Sequence, residues 1–512
     1  MSGTLLPLAV AGPLVAAGLT LAVGQRRVLS RVIALAMTAA ILLLSALLLA
    51  HTSDGSVLTA DLGGWPAGIA IVFAADTFSA LMLTVTSLLT LVCLAFAMAA
   101  DDDRHPLYLP LGLVLSAGVY GAFLTADLFN LFVLIEVMLV PSYALLTLTG
   151  GRRRVAAGRL YLTFNLMAST VFLGGLAMLY GVTGTVNLGE LAGAANGSPL
   201  VALAGAVILV SMAAKAAVVP LHGWLPRTYP DASPAVTALF SGLLTKVGVY
   251  VIIRVYAVLY DGDPQYLWVI LIAALVTMVV GVLGAVGEKS MRSILAFHMV
   301  SQIGYILLGL ALFTTAGLAA AVFYLIQYVL VKAALLLCAG AVEVTYGTGR
   351  LDRIGGLARR EPLLTAAFLT AALSLAGLPP LSGFIAKLTL LRATALESEY
   401  LAVGIAVAVS LLTLLSMIKI WSGVFAGNLT LPSRAPTPAG GSGSSTGGGG
   451  PDGTGESAAT PRIRTTLLLP AVLLAAFSLG LGIGAEALLI SAETAAEGLI
   501  DTTTWVSEVT GR

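Results

Sequence analysis

"SMAAKAAVVPLHGWLP", residues 211–226, sets Lys215 among alanines and valines and breaks the same segment at Pro220. What surrounds this stretch decides what it can be. The chain has 512 residues, 58% of them hydrophobic and only 10% charged, against about 25% charged in an ordinary soluble domain. A soluble fold of this composition would lack the polar surface to cover its core. Runs such as "VIALAMTAAILLLSALLLA" (32–50) and "YLWVILIAALVTMVVGVLGAVG" (266–287) reach the roughly 20 residues that a bilayer-spanning helix needs. The fold class that follows is an all-α polytopic membrane protein in contact with the lipid bilayer, and Lys215 lies inside it.

About fourteen spans are expected, near 4–24, 30–50, 71–97, 107–123, 128–149, 158–181, 199–219, 234–259, 266–287, 291–313, 317–341, 362–394, 402–425 and 464–490. Alternate loops collect Arg26, Arg27, Arg31, Arg104, the four arginines of "GRRRVAAGR" (151–159), Arg227, Lys289, Arg292, the four of "GRLDRIGGLARR" (349–360) and three in the last long loop. The opposite loops hold only Arg392 and Arg512. Basic loops stay in the cytoplasm, so both termini are expected outside it. The first apolar run has its arginines after it rather than before it, the reverse of a secretory signal. "PSRAPTPAGGSGSSTGGGGPDGTGESAATPRIR" (432–464) has nothing to bury and reads as a disordered Gly/Ser/Pro linker. A net charge of +1 gives no electrostatic case for a nucleic-acid partner. Cys93 and Cys338 lie in apolar runs and read as small hydrophobes, with no spacing for a metal or a disulfide framework.

Six of the 26 basic residues, Lys215, Lys246, Arg254, Lys332, Lys387 and Lys419, fall within spans. Each costs roughly 2.5–3.5 kcal/mol at a helix centre, so together they need partners or water. Arg254 and Lys419 lie near span ends and can snorkel. The other four lie deeper, and a proton or ion path is the default reading. Glu136, in "LTADLFNLFVLIEVMLVPSYALL" (124–146), is a mid-span carboxylate that would be neutral unless paired, and a nearby lysine would favour its ionised form. Asp127 reads as a helix cap, and Asp76 as an interface or capping residue. His298 and Gln302 share one helical face at i, i+4, with His298 read as a relay group. His222, inside the break, is read as a structural donor.

Proline has no N–H, so Pro220 frees the carbonyl of Ala216 beside Lys215. An unpaired backbone group in a bilayer is tolerated where it lines a polar cavity, and the lysine and the break are expected to share one hydrated pocket. The device recurs: "PLHGW" (220–224) matches "PLSGF" (380–384), where Lys387 follows the break. Glu136 and His298 stand at nearly the same offset. Span seven then corresponds to span twelve and span five to span ten, and five spans between partners make the two units inverted. Inverted repeats with broken helices place ion sites near the midplane. The expected organisation is 1–103 for spans one to three, 104–262 for a first five-helix repeat, 263–428 for the inverted second repeat, 429–463 for the linker, and 464–512 for the last span and a tail.

These residues also carry a resemblance. "DLGGWPAGIAIVFAADTFSALML" (61–83), "FNLFVLIEVMLVPSYALL" (129–146), "KAAVVPLHGWLP" (215–226), "LLTKVGVY" (243–250), "RSILAFHMVSQIGYILLG" (292–309), "VKAALLLCAGAVE" (331–343) and "LAGLPPLSGFIAKLTLL" (375–391) resemble the D subunits of Mrp-type multisubunit Na+/H+ antiporters. Those are similar in turn to the antiporter-like membrane subunits of respiratory complex I. The "GGWPAGIAIVFAAD" stretch, with Lys387 rather than a glutamate in the twelfth span, is most like the D subunit. The resemblance implies that Glu136 and Lys215 form an ion-pair switch, that Lys246 connects it onward, and that His298 and Lys332 continue a relay toward Lys387. The linker departs from the family's usual short loop.

The expected function is proton translocation within a cation/H+ antiporter in a bacterial cell membrane, by a transporter subunit rather than an enzyme. Its expected partners are other antiporter subunits, with H+ and Na+ as the transported ions. No cofactor is implied. A proton-pumping subunit of a redox complex, such as NADH–quinone oxidoreductase or a membrane-bound hydrogenase, is the alternative. The absence of CxxC, haem and dinucleotide motifs does not exclude it, because redox centres can sit on partner subunits. A purely structural scaffold is hard to reconcile with four deep lysines.

Overall fold

The computed structural model describes residues 3–24, 26–65, 70–429 and 462–512. The chain opens with α1 (Leu8–Val23) and α2 (Arg27–His51), followed by the short strands β1 (Leu58–Asp61) and β2 (Val72–Ala75). Then come α3 (Thr77–Ala99), α4 (Tyr108–Leu124), α5 (Leu128–Thr147), α6 (Arg152–Thr183), the one-turn α7 (Ala194–Gly197) and α8 (Pro199–Lys215). After a break, α9 (Trp224–Thr228) leads to α10 (Pro234–Leu259), α11 (Leu267–Gly287), α12 (Met291–Leu312) and α13 (Thr315–Tyr346). The one-turn α14 (Leu357–Arg360) precedes α15 (Pro362–Ala376), a second break, α16 (Ser382–Leu396) and α17 (Tyr400–Ile420). The chain closes with α18 (Thr465–Ile483), α19 (Ala485–Ile500) and α20 (Thr503–Thr510).

Local chemistry sets the helix starts. Asp76, Asp127, Ser290 and Thr314 each accept a hydrogen bond from a backbone N–H in the first turn of α3, α5, α12 and α13, which satisfies an otherwise orphaned donor. Proline opens α8, α10 and α15, where its missing N–H costs nothing. Small residues then let backbones approach, as membrane helix pairs require. A Cβ on Gly304 would stand 2.5 Å from the carbonyl oxygen of Ala274, so α12 lies directly against α11 at that point.

Among the described residues, eleven helices are long and apolar enough to cross a membrane, and α4, α8 and α15 are shorter apolar helices. Two of these short helices are the ones that end at a break. The expected spans 199–219 and 362–394 therefore stop early, at Lys215 and Ala376. The molecule is built around α10 and α13, whose most apolar stretches are wholly buried, with α12 close behind. Helices α1, α2, α6, α11 and α17 bury a third or so of theirs and turn leucine and valine outward.

Three helix starts recur at one interval: Leu128 and Met291, Arg152 and Thr315, and Pro199 and Pro362 each stand 163 residues apart, by subtraction of their numbers. In the second of these matched pairs, α6 and α13 are both 32 residues long.

Two features differ from expectation. Residues 72–75, expected inside span three, form β2, which pairs antiparallel with β1 in register Leu58 opposite Ala75; the all-α reading therefore gains a small ribbon. The cause is Asp76, whose side chain starts α3 one residue later. The last span also ends sooner than 490. Gly484 interrupts it, and α19 follows with Ala485, Leu488, Ala492, Ala496 and Leu499 buried, the i, i+3, i+4 spacing of an amphipathic helix. The expected linker lies outside the described residues except at its ends.

Candidate functional site

Lys215 is the last residue of α8, and the helix closes behind it. Ala216 N–H bonds Met212 O at 2.8 Å and Val218 N–H bonds Ala213 O at 2.9 Å, while Ala217 takes a positive φ of 61°. Trp224 Nε1 donates to Ala214 O at 3.0 Å, and Val219 N–H to Thr277 Oγ1 at 3.1 Å. The break is thus tied down on both sides. Pro220 and Pro380 both follow cis peptide bonds.

Side chains on a helix point toward its N-terminus, so Lys215 leans back onto α6. Its Nζ donates to Ser169 Oγ at 2.9 Å and stands 3.5 Å from Asn165 O. Ser169 Oγ in turn donates to Glu136 Oε1. A hydroxyl has one proton and two lone pairs, so it can donate to a carboxylate while accepting from an ammonium. Glu136 and Lys215 therefore meet through Ser169 rather than directly in this structure. The pocket that Lys215 was expected to share with Ala216 O is not the contact it makes.

That arrangement occurs at the other break. Lys387 follows the break on α16 and folds over the C-terminal end of α15, where the last carbonyls have no intrahelical donor. Its Nζ donates to Leu375 O and Ala376 O at 3.0 Å each and to Ser410 Oγ at 2.9 Å. Gly377, with φ 86°, makes room: a Cβ there would lie 2.7 Å from Lys387 Cδ. Beside it, Ser382 and Ser478 hydroxyls stand 2.9 Å apart and each reaches Ser374 Oγ.

The remaining groups line the central helices. Lys246 donates to Ser241 O at 2.7 Å and to Thr245 Oγ1 at 3.2 Å, and its ammonium stands 4.4 Å from the centre of the Tyr328 ring. Tyr324, Tyr328 and Lys332 follow one another at i, i+4 on one face of α13. Lys332 is fully buried and its Nζ has no hydrogen-bond partner among the described residues. His298 Nε2 lies 2.5 Å from Ser416 Oγ, with Nδ1 unpartnered among the described residues. Gln302 accepts from Tyr324 OH; Tyr324 stacks on Tyr305, ring centres 5.4 Å apart, and Lys387 Nζ stands 5.3 Å from the centre of the Tyr305 ring. Carboxylate, hydroxyls, amines, imidazole and phenols thus run from α5 across α6, α8, α10, α13 and α12 to α16. These are the kinds of group a proton relay uses. Among the described residues, no group of His, Cys, Asp and Glu could hold a metal ion.

The outlying residues divide as follows. Asp127 caps α5 through the Asn130 N–H at 2.6 Å, and Lys419 bonds the carbonyls of Val286 and Glu288 at 2.7 and 2.6 Å. Asp127 is the expected cap, and Lys419 ties α17 to the end of α11. Arg254 does not snorkel: it is buried and paired with Asp76 at 2.6 Å. His222 lies half-buried in the first break. Sequence reasoning missed Ser169, Tyr305, Tyr324, Tyr328, Ser410 and Ser416, because hydroxyl and phenol groups also stud ordinary membrane helices. Only their helical offset from the lysines, Tyr328 to Lys332 above all, could have drawn attention to them.

Comparison with known proteins identifies the family. The family model described as "NADH:quinone oxidoreductase/Mrp antiporter, TM" matches residues 125–413, from just before Glu136 to beyond Lys387. The chain is 38% identical to the D subunit of the Na(+)/H(+) antiporter of Alkalihalophilus pseudofirmus, over 83% of this chain and 87% of that one. It is 32% identical to the D subunit of the Na(+)/H(+) antiporter of Bacillus subtilis, over 99% and 98%. A chain in the structure of the Mrp complex from Dietzia sp. DQ12-45-1b superposes with a TM-score of 0.94 at 49% identity, covering 99% of both chains. The chain belongs to the NADH:quinone oxidoreductase/Mrp antiporter family of membrane proteins.

Proposed function

We propose that this chain is the proton-translocating D subunit of a multisubunit Na+/H+ antiporter, working in a bacterial cell membrane with other antiporter subunits as partners. Relatives of near-equal length carry antiporter names, which favours this reading over a redox-driven pump. The single observation that carries the mechanism is the bridge Glu136–Ser169–Lys215 at the head of a buried series of amines. Glu136 and Lys215 act as the switch: while the bridge holds, the carboxylate keeps the ammonium in place. When it opens, Lys215 gives up a proton toward Lys246. Lys332 and His298 carry charge on toward Lys387, each charged neighbour repelling the next. The chain acts as a secondary transporter, not as an enzyme.

The same reading takes the fourteen apolar helices or helix pairs as fourteen spans, with the arginine-rich loops in the cytoplasm and both termini outside. It takes 104–262 and 263–428 as two inverted five-helix units, between an N-terminal part (1–103) and a last span with its tail (464–512), with 429–463 as the linker. The 163-residue interval between helix starts, and a helix break in each unit, support the repeat.

The test is Glu136→Ala and Lys215→Ala in the assembled antiporter in everted membrane vesicles. Loss of the Na+-dependent pH change is expected for each. A parental response from both, at parental protein levels, overturns the mechanism.

A further inference from the structure

A relay that runs parallel to the membrane needs a way out of it. The face opposite the arginine-rich loops holds a cavity of about 300 Å³, lined by Asp54, Asp76, Glu497, Asp501, Thr504 and Trp505 among others. It lies between the end of α2, the start of α3 and the helices α19 and α20. Its floor is not inert. Asp76 Oδ2 accepts from Arg254 Nη2 at 2.6 Å, and Asp76 Oδ1 accepts from Ser79 Oγ at 2.7 Å. Ser79 Oγ lies 3.0 Å from Tyr250 OH, and both residues are buried. Tyr250 and Lys246 lie on the same face of α10, one turn or about 5.4 Å apart along the axis, with Lys246 on the inner side. From the cavity inward the order is carboxylate, hydroxyl, phenol, amine.

We propose that Asp76, Ser79 and Tyr250 form the outer outlet of the relay, joining Lys246 to the extracytoplasmic cavity. This rests on the lateral relay proposed above. Two junctions are open in the structure. Lys246 Nζ is turned inward to Ser241 O at 2.7 Å, and Tyr250 gives its only proton to Phe123 O at 2.8 Å. When Lys246 swings one turn outward and the phenol proton turns to Ser79, the chain closes. The ammonium of Lys246 then gives a proton to Tyr250 O as Tyr250 gives its own to Ser79 Oγ, and Ser79 gives its own to Asp76. Asp76 releases that proton to water in the cavity and is again a carboxylate. The net change is one proton from the Lys246 ammonium, left as a neutral amine, to the outer solution. Arg254 is a positioning residue. It holds one oxygen of Asp76 so that the other faces Ser79, and Trp505, with its ring centre 5.2 Å from the guanidinium carbon, braces it from the cavity side.

The variants Tyr250→Phe and Ser79→Ala remove one oxygen each. The Phe78 and Phe123 rings that pack on Tyr250, centres 4.7 and 5.0 Å away, keep their contacts in Tyr250→Phe. In vesicles bearing the full antiporter, each variant is expected to lower Na+-dependent proton movement at least tenfold at parental protein levels. Asp76→Asn should do the same, with Asp76→Glu restoring part of the rate. Because Asp76→Asn can also weaken folding, sidedness gives a second readout. Thr504→Cys treated with a membrane-impermeant, trimethylammonium-bearing thiol reagent should lose activity in right-side-out vesicles and keep it in everted ones, relative to the same vesicles before treatment and to untagged antiporter. Parental rates in both Tyr250→Phe and Ser79→Ala, or block from both faces or neither, overturn the outlet. If Lys215→Ala stops transport while Tyr250→Phe does not, the outlet is wrong and the relay stands; if neither matters, the relay itself is wrong.

Discussion

Ser169→Ala isolates the step on which the proposed switch depends. One oxygen accepts from Lys215 at 2.9 Å and donates to Glu136, so a single-atom deletion disconnects a carboxylate from an ammonium. The helix contact itself has other ties. Ser211 Oγ bonds Ala168 O at 2.7 Å, holding α8 to α6, and Asn165 Nδ2 bonds Tyr161 O at 2.9 Å within α6. A Cβ on Gly175 would fall 2.9 Å from Ile208 Cγ1, so the two helices are also locked by shape. The fold should survive the change. A hydrogen bond to a charged group contributes about 1.5–3 kcal/mol. If one such bond is lost at the barrier to proton release, the rate falls by about 10- to 100-fold. The assay is the initial rate of Na+-dependent pH change in everted vesicles, normalised to the amount of assembled antiporter. Ser169→Thr returns a hydroxyl to the site and should recover most of the rate. A parental rate in Ser169→Ala would mean that Glu136 and Lys215 communicate without the serine, and the bridged switch would have to be abandoned.

Three further outcomes follow from the geometry. The two motif glycines should not behave alike: a Cβ on Gly383 would stand 1.8 Å from Ser374 O, whereas one on Gly223 meets nothing within 4 Å. Gly383→Ala should therefore abolish stable assembly and Gly223→Ala should leave its melting temperature nearly unchanged; equal effects would refute the close packing at the second break. Lys419→Ala strips the bonds to Val286 O and Glu288 O and should cost roughly 1–3 kcal/mol of stability while the remaining folded antiporter keeps its specific rate; a specific loss of transport would place Lys419 in the relay. Among the arginine-rich loops, burial works against the charge of Asp103, but hydrogen bonds from Arg31 and Arg27 outweigh it and hold the carboxyl below its usual range. A pKa lower in the folded state means that the stabilisation is complete above the unfolded value of about 3.9. It is lost as pH falls through the folded value. Thermal stability contributed by this clamp should be flat through neutral pH and fall only in strong acid, and Asp103→Asn should lower stability at neutral pH and shrink that acid-dependent loss; an acid profile identical to the parent's would count against the clamp.

The bilayer class was legible because composition leaves no alternative, and the breaks were legible because proline announces them. The deep lysines stood out because a cation in an apolar run is costly and therefore informative. Ser169 was not, since serine inside a membrane helix most often bonds its own backbone, as Ser142 does with Leu139 O at 2.6 Å. Arg254 was misread for a related reason. Its place near a span end allowed snorkelling, and only the fold brings Asp76, 178 positions away in sequence, within reach. Helix α19 was hidden because its alanines and leucines continue the hydrophobicity of α18, and only Gly484 marks the bend.

The acceptor sets of the four deep lysines differ in a way that bears on how a relay can work. An ammonium has three donors, and burying one without partners is costly. Lys387 finds three acceptors within 3.0 Å. Lys246 finds two, at 2.7 and 3.2 Å. Lys215 finds one at 2.9 Å and a second at 3.5 Å. Lys332, fully buried, finds none among the described residues. On the proposed relay a charge is therefore best held at the two breaks and at Lys246, and least well held at Lys332. That division makes Lys332 the highest point of the proposed path, because a charge must leave a better-satisfied site on either side to cross it. The most sensitive place to alter the rate is then the crossing point. A new acceptor one turn from Lys332, as in Leu336→Gln on the same face of α13, should speed transport by lowering the free energy of the charge where it is least well held. Slower or unchanged transport in such a variant, with assembly intact, would show that the crossing at Lys332 does not set the rate.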